Sequence, residues 1–246
     1  MKKQLTTKTI LAVVILMAAF TSCQKATVNY FQPVVSPELP RVKTIDYGSV
    51  VRTNEYDGQG RVVQANYNTG AKTLVSYTGN SIISESFNPS GALLQKDINM
   101  LNSDGLIESA TNSNNLPSVF YYSYNNDKKL INDTYLNNGV LKRERFYTYS
   151  NGNLVKDSTA EGSSWYCNDY EYFIDILSTI ESVNFGSPYY GAGNKNVVKK
   201  VTSRQSDGVV KTKIYSLPEK DAAGRVTKTS YTLNGGVPVI YQYTYY

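Results

Sequence analysis

The chain has 246 residues, among them 22 tyrosines, one tryptophan, two cysteines and no histidine. Without imidazole there is no Ser-His-Asp or Cys-His nucleophile pair and no histidine metal ligand, and two cysteines fall short of a thiolate zinc site. A composition 41% hydrophobic and 18% charged fits a folded chain with a buried core; neither a metal nor a cofactor is expected.

In chain order the first element is an export signal. Lys2, Lys3 and Lys8 precede an unbroken apolar run, Ile10 to Phe20, whose 11 residues are too few to cross a bilayer; a spanning helix needs about 20. The run ends in Phe20, Thr21, Ser22 and Cys23, which resembles the lipobox of a lipoprotein signal peptide. That resemblance implies lipidation at Cys23 after removal of residues 1–22; the plain alternative is a secretory signal cleaved near Ser22. It also implies an outer-membrane lipid anchor, because Gln24 stands where aspartate would direct inner-membrane retention, and it leaves the periplasmic or cell-surface face open.

Residues 1–22 hold three of the 25 basic residues and no acidic one, so the net charge falls from +5 to +2 once they leave. No concentrated basic face remains, and no nucleic-acid partner is expected. Cys167 is left without a disulfide partner and reads as a small buried hydrophobe. Pro33, Pro37 and Pro40 space out the next stretch, so residues 23–41 read as an extended tether to the lipid.

Residues 42–246 read as a single β-meander domain. Strand-like segments alternate with polar turns: YDGQGRVV (56–63), YTGNSII (77–83), FNPSGALL (87–94), LNSDGLIE (101–108), YNNDKKLI (124–131), YLNNGVL (135–141), YSNGNLV (149–155), RQSDGVV (204–210), KDAAGRV (220–226) and TLNGGVPV (232–239). Asn-Gly, Asp-Gly and Gly-Gly supply the positive φ angles of tight hairpins. In the last segment Val237, Val239, Tyr241, Tyr243 and Tyr245 share one face, as a strand requires.

An irregular insert at about 156–203 breaks the rhythm. Asn168 followed by Glu171 matches a capping box, and Phe173, Ile176, Leu177 and Ile180 fall on one helical face, predicting one short helix at about 169–181. NFGSPYYGAGNKN (184–196) reads as a glycine-rich loop without a full phosphate-loop pattern.

YDGQGRVV resembles the YD-repeat signature of Rhs-type proteins, and DAAGRV at 221–226 repeats its second half. The lipobox, these degenerate turns, the late insert and GNKNVVKKV (193–201) together resemble secreted lipoproteins of Gram-negative gut-type bacteria that carry a porin-like, many-stranded sheet of unknown function. The resemblance covers roughly residues 42–246 and implies fold and location, with no catalytic residues to carry over. Thr244 and Gln242 interrupt the apolar face that a membrane barrel would show, and Lys142, Arg143, Glu144 and Arg145 lie within a strand. The expected fold is therefore all-β: a large antiparallel meander curled into an open or incomplete barrel, its edges protected by charge or by the insert.

The richest local cluster is Trp165, Tyr166, Tyr170, Tyr172 and Phe173, with Glu161, Asp169, Glu171 and Asp175 nearby; its candidate ligand-binding residues are Trp165, Tyr166 and Tyr170, extended by Tyr189 and Tyr190. Aromatic faces stack on sugar rings while carboxylates accept hydrogen bonds from hydroxyls; the alternative is that these rings pack the core. The leading functional expectation is a non-catalytic, lipid-anchored envelope protein that binds a glycan or an envelope protein. A structural or assembly lipoprotein acting through a sheet edge and a carboxylate-based hydrolase are the other readings.

Overall fold

A computed structural model describes residues 40–112, 118–178 and 188–246. The expected signal, the expected lipidation site Cys23 and nearly all of the expected tether lie outside the described residues. The chain from residue 42 onward forms antiparallel strands in meander order. The first are β1 (Val42–Asp46), β2 (Val51–Tyr56), β3 (Val62–Tyr67), β4 (Lys72–Thr78), β5 (Ser81–Phe87) and β6 (Leu93–Leu101). Then come β7 (Ile107–Asn112), β8 (Ser118–Tyr124), β9 (Leu130–Asn137), β10 (Val140–Ser150), β11 (Asn153–Glu161) and β12 (Ser164–Leu177). The last are β13 (Asn196–Gln205), β14 (Val210–Tyr215), the two-residue β15 (Glu219–Lys220), β16 (Val226–Leu233) and β17 (Val239–Tyr245). Each of the ten quoted turn segments joins two consecutive strands.

Both β14 and β15 pair with β16, so the pair acts as one interrupted strand of the wall. The first and last strands then pair with each other, Ile45 opposite Tyr243 and Asp46 opposite Gln242. The result is a closed antiparallel barrel of 16 strand positions, and the expectation of an open or incomplete barrel is corrected. Closure satisfies backbone groups that an open sheet would leave along two edges. Strand addition at a free edge loses its structural basis with it.

The expected helix is also absent among the described residues: 164–177 is β12. Tyr166, Asn168, Tyr170 and Tyr172 alternate along it and pair with Gln205, Ser203, Val201 and Val198 of β13. That period of two, rich in aromatic residues, wins over the coincidental helical spacing of Phe173, Ile176 and Leu177. Ile174 and Leu177 stay largely exposed, so no apolar helix face is buried there. Ile180 lies outside the described residues.

The turns explain why the sequence punctuates as it does. In Asp57–Arg61 the Asp57 N–H donates to the Arg61 carbonyl and the Gly60 N–H to the Asp57 carbonyl, both at 2.9 Å. Gly60 has φ +75°, a left-handed angle that costs glycine little. The same two backbone bonds recur at Asn88–Ala92, Asn102–Leu106, Asn125–Lys129 and Asp221–Arg225.

Strand alternation sorts residues between lumen and outer wall. Asn54, Ala65, Ile82, Asp133, Asp157 and Thr159 belong to the set that faces inward, and all are buried. Between β12 and β13 the chain re-enters the lumen as a 3₁₀ turn, Pro188–Tyr190. Tyr189 is 6% exposed and packs with Ile82, Leu101 and Ile107, with Val75, Tyr77 and Tyr122 beside them. Rather than covering an edge, this part of the insert fills one end of the barrel.

Candidate functional site

The inserted segment is tied to neighbouring turns at its own end of the barrel. The Ala192 N–H donates to the Lys128 carbonyl at 2.9 Å and the Lys195 N–H to the Gly152 carbonyl at 3.1 Å. Lys129 Nζ donates to the carbonyls of Gly152 and Gly193. Asn194 Oδ1 accepts the Leu154 N–H at 2.8 Å, and the Asn196 and Asn153 side chains bond at 2.9 Å. These contacts build a floor from which Tyr190, 56% exposed, looks into the lumen.

Above the floor the inner wall is polar and aromatic. Asp133 accepts the Tyr147 hydroxyl at 2.6 Å and Arg143 Nη2 at 3.3 Å. Arg145 Nε donates to Thr159 Oγ1 at 3.0 Å. Asp157 accepts the Tyr170 hydroxyl at 2.5 Å and the Asn168 amide at 2.9 Å. Burial, then donation to these carboxylates, pushes the Tyr170 and Tyr147 hydroxyls above the ordinary phenol value. Both tyrosines therefore stay neutral donors.

A second stretch of the inner wall holds two cavities that share one side chain, Arg52. The first, of 250 Å³, is lined by Arg52, Tyr67, Thr73, Ser84, Asn99 and Tyr190, among others. The second, of 260 Å³, is formed by Ile45, Tyr47, Arg52, Tyr241 and Tyr243. The Tyr47 and Tyr241 rings meet edge to face, with centroids 5.5 Å apart.

The aromatic cluster read from the sequence is divided by strand alternation. Tyr166 and Tyr170 face the lumen from β12; Trp165, between Tyr166 and the turn, faces outward. Tyr189 is a core residue of the floor, and only Tyr190 reaches a lumen cavity with an exposed ring. Outside, Trp165 and Phe146 are each half exposed and line a groove of 570 Å³ with Lys156, Asp169 and Arg204. Asp169 and Arg204 form an ion pair there. Cys167 also lines this groove and is only partly buried, less so than its reading as a core hydrophobe implies.

Sequence reasoning missed Arg52, Tyr47 and Tyr67. The available signal was the alternation in VRTNEY, where Arg52, Asn54 and Tyr56 share a face. It was obscured because the opposite face, Val51, Thr53 and Glu55, is nearly as polar.

Solved structures share the fold. The chain is similar to a porin-like protein from Bacteroides uniformis, with a TM-score of 0.61 and 17% identity over 88% of this chain and 100% of that one. It is also similar to a porin-like protein from Bacteroides vulgatus, with a TM-score of 0.55 and 15% identity over 84% of this chain and 99% of that one. At such identities the likeness establishes the fold alone, a many-stranded antiparallel barrel. No family model matches the chain, and no curated protein matches it.

Proposed function

We propose that this chain is a non-catalytic, lipid-anchored protein of the cell envelope that binds a glycan inside a barrel standing in water. The sidedness of the wall carries this reading. Outward-facing positions hold cross-strand ion pairs: Lys96 with Glu85 at 2.8 Å, Lys200 with Glu171 at 2.9 Å and Lys228 with Glu219 at 2.7 Å. Glu55, Gln64 and Asn66 form a further polar patch outside. A lysine or arginine facing lipid at the bilayer midplane costs about 2–4 kcal/mol. Strands β2, β3, β7 and β14 have six residues each, whereas a membrane-spanning strand needs about 9–11.

A barrel of this kind needs a separate attachment to a membrane, and Cys23 supplies it. The lumen offers what a carbohydrate requires: tyrosine faces, hydroxyls, amides and carboxylates within one wetted wall. Asp133 and Asp157 are already engaged by tyrosine and amide or guanidinium donors, which favours binding over acid–base chemistry. The anchor is tested by Cys23→Ala, which should abolish palmitate labelling and release the protein from membranes; unchanged membrane association sinks that part. Glycan-array binding by the detergent-solubilised full chain tests the rest. Binding that Tyr190→Ala leaves intact would remove the lumen as the site.

A second reading is favoured by the half-exposed rings of Phe146 and Trp165, which line one outer groove and make it a docking face for a glycan or an envelope protein. Loss of binding in Trp165→Ala, with Tyr190→Ala unaffected, selects it.

A further inference from the structure

We infer that Arg52 anchors the carboxylate of an acidic saccharide in the lumen, an assignment that rests on the lumen-binding reading and gives it a ligand class. Arg52 is held in place from behind: its Nε donates to Asn54 Oδ1 at 2.7 Å. Asn54 is completely buried and donates its amide to the Val42 carbonyl at 3.1 Å. With Nε committed, the terminal nitrogens of the guanidinium remain available, and the side chain lines both cavities. A guanidinium presents its donors as a planar fork that matches a carboxylate in two-point fashion.

Other arginines of this barrel meet an acid: Arg61 pairs with Asp57, Arg143 with Asp133 and Arg225 with Asp221. Among the described residues no carboxylate lies within ion-pair distance of Arg52. The acid missing from the wall is therefore what a ligand would bring.

The surroundings select a sugar rather than a bare anion. On one side stand the rings of Tyr47, Tyr241 and Tyr243; on the other, Tyr67 and Tyr190 with the polar side chains of Thr73, Ser84 and Asn99. Rings stack on the C–H faces of a pyranose, and the hydroxyls and amide pair with its hydroxyl groups. Asp97 faces the same lumen and accepts hydrogen bonds from Gln95 and Asn112, each at 2.7 Å. Its charge repels a second acid group, so the ligand is oriented with its carboxylate toward Arg52. Together the two cavities reach the lower part of the roughly 300–1,000 Å³ range of ligand pockets.

The test is calorimetric titration of the full chain in detergent with cellobiouronate, a disaccharide with a single carboxylate, and with its carboxyl-reduced counterpart, cellobiose. The acidic form should bind at least about tenfold more tightly, and Arg52→Gln should remove that preference while leaving the weaker binding of the reduced form. Equal binding of the two forms by the unaltered chain overturns the role of Arg52 but leaves glycan binding standing. That comparison needs no variant to fold. Binding of neither form, together with an empty glycan array, overturns both readings. Displacement of cellobiouronate by inorganic phosphate at equal concentration overturns the carboxylate assignment.

Discussion

Thr44 and Thr244, 200 positions apart, share a hydroxyl hydrogen bond of 2.7 Å on the outer face of the barrel. It lies in the seam where β1 meets β17, beside the register pair Ile45 and Tyr243. The barrel is therefore closed by its two most distant strands. Folding must bring them together against the loop-closure entropy of nearly the whole domain.

Ending the chain at Pro238 removes β17 and exposes the partner edges of β1 and β16. Such edges template intermolecular pairing. The shortened chain is expected to self-associate, seen as higher-order species in light scattering, whereas the full barrel does not acquire them by this route. A monomeric, fully protected shortened chain would mean that the seam contributes little.

Asp57 closes its turn with both carboxylate oxygens. Oδ1 accepts the N–H groups of Gln59 and Arg61 at 2.9 Å, and Oδ2 accepts Arg61 Nε at 2.8 Å and Nη2 at 2.7 Å. The Arg61 guanidinium lies over the Tyr77 ring at 4.0 Å, and the Tyr77 hydroxyl donates to the Val62 carbonyl at 2.8 Å. Asp57→Ala should cost about 1–2 kcal/mol at neutral pH. Burial alone would raise the Asp57 carboxyl, but the hydrogen bonds from Arg61 outweigh it and hold the group below 3.8. Its contribution is thus present above 3.8 and lost as pH falls through the depressed value. The melting difference between the two proteins should shrink in acid; a constant difference would assign the loss to something other than the ionised carboxylate.

Much of the architecture was legible where its causes are local. Asp57 with Arg61, and Asp221 with Arg225, announce turns because the aspartate, the positive-φ glycine and the arginine lie within five residues. The period-two run of Tyr241, Tyr243 and Tyr245 likewise announces a strand. Closure was not legible, because nothing near Thr44 encodes its pairing with Thr244. The helix over 169–181 was misread because the lumen and the outer wall are both polar, leaving no hydrophobic contrast to expose the period of β12. The candidate site failed in the same way: Trp165 and Tyr166 are neighbours in sequence and lie on opposite faces of the wall.

The tyrosine-rich lumen should set an alkaline limit to stability. Burial pushes the Tyr56, Tyr190 and Tyr245 hydroxyls up to about 12, and raises those of Tyr77, Tyr147 and Tyr170 as well. An unfolded chain ionises its phenols near 10. The stabilisation is therefore complete below pH 10 and lost as pH rises through the folded values. Melting temperature should fall steeply over that interval, and phenolate absorbance should jump with unfolding. Tyr170→Phe removes one shifted group and should make the fall shallower; an unchanged slope would show that Tyr170 ionises as freely in the barrel as outside it.

Gly191 decides whether the floor stays seated. It has φ +85°, and a Cβ placed there would sit 2.6 Å from the Lys128 carbonyl oxygen and 3.0 Å from the Tyr124 ring. That carbonyl is held by the Ala192 N–H, so it cannot withdraw without breaking the contact that docks the segment. Gly191→Ala combines left-handed strain with overpacking and should cost about 2–4 kcal/mol. The cheaper response is for the segment to leave the lumen, because the strand ring closes through β1 and β17 without it. The variant should keep its β-sheet circular dichroism while becoming cleavable by protease within residues 188–195. It should also lose the ligand that depends on Tyr190. Unaltered melting and protease resistance would show that the segment is not held by this contact.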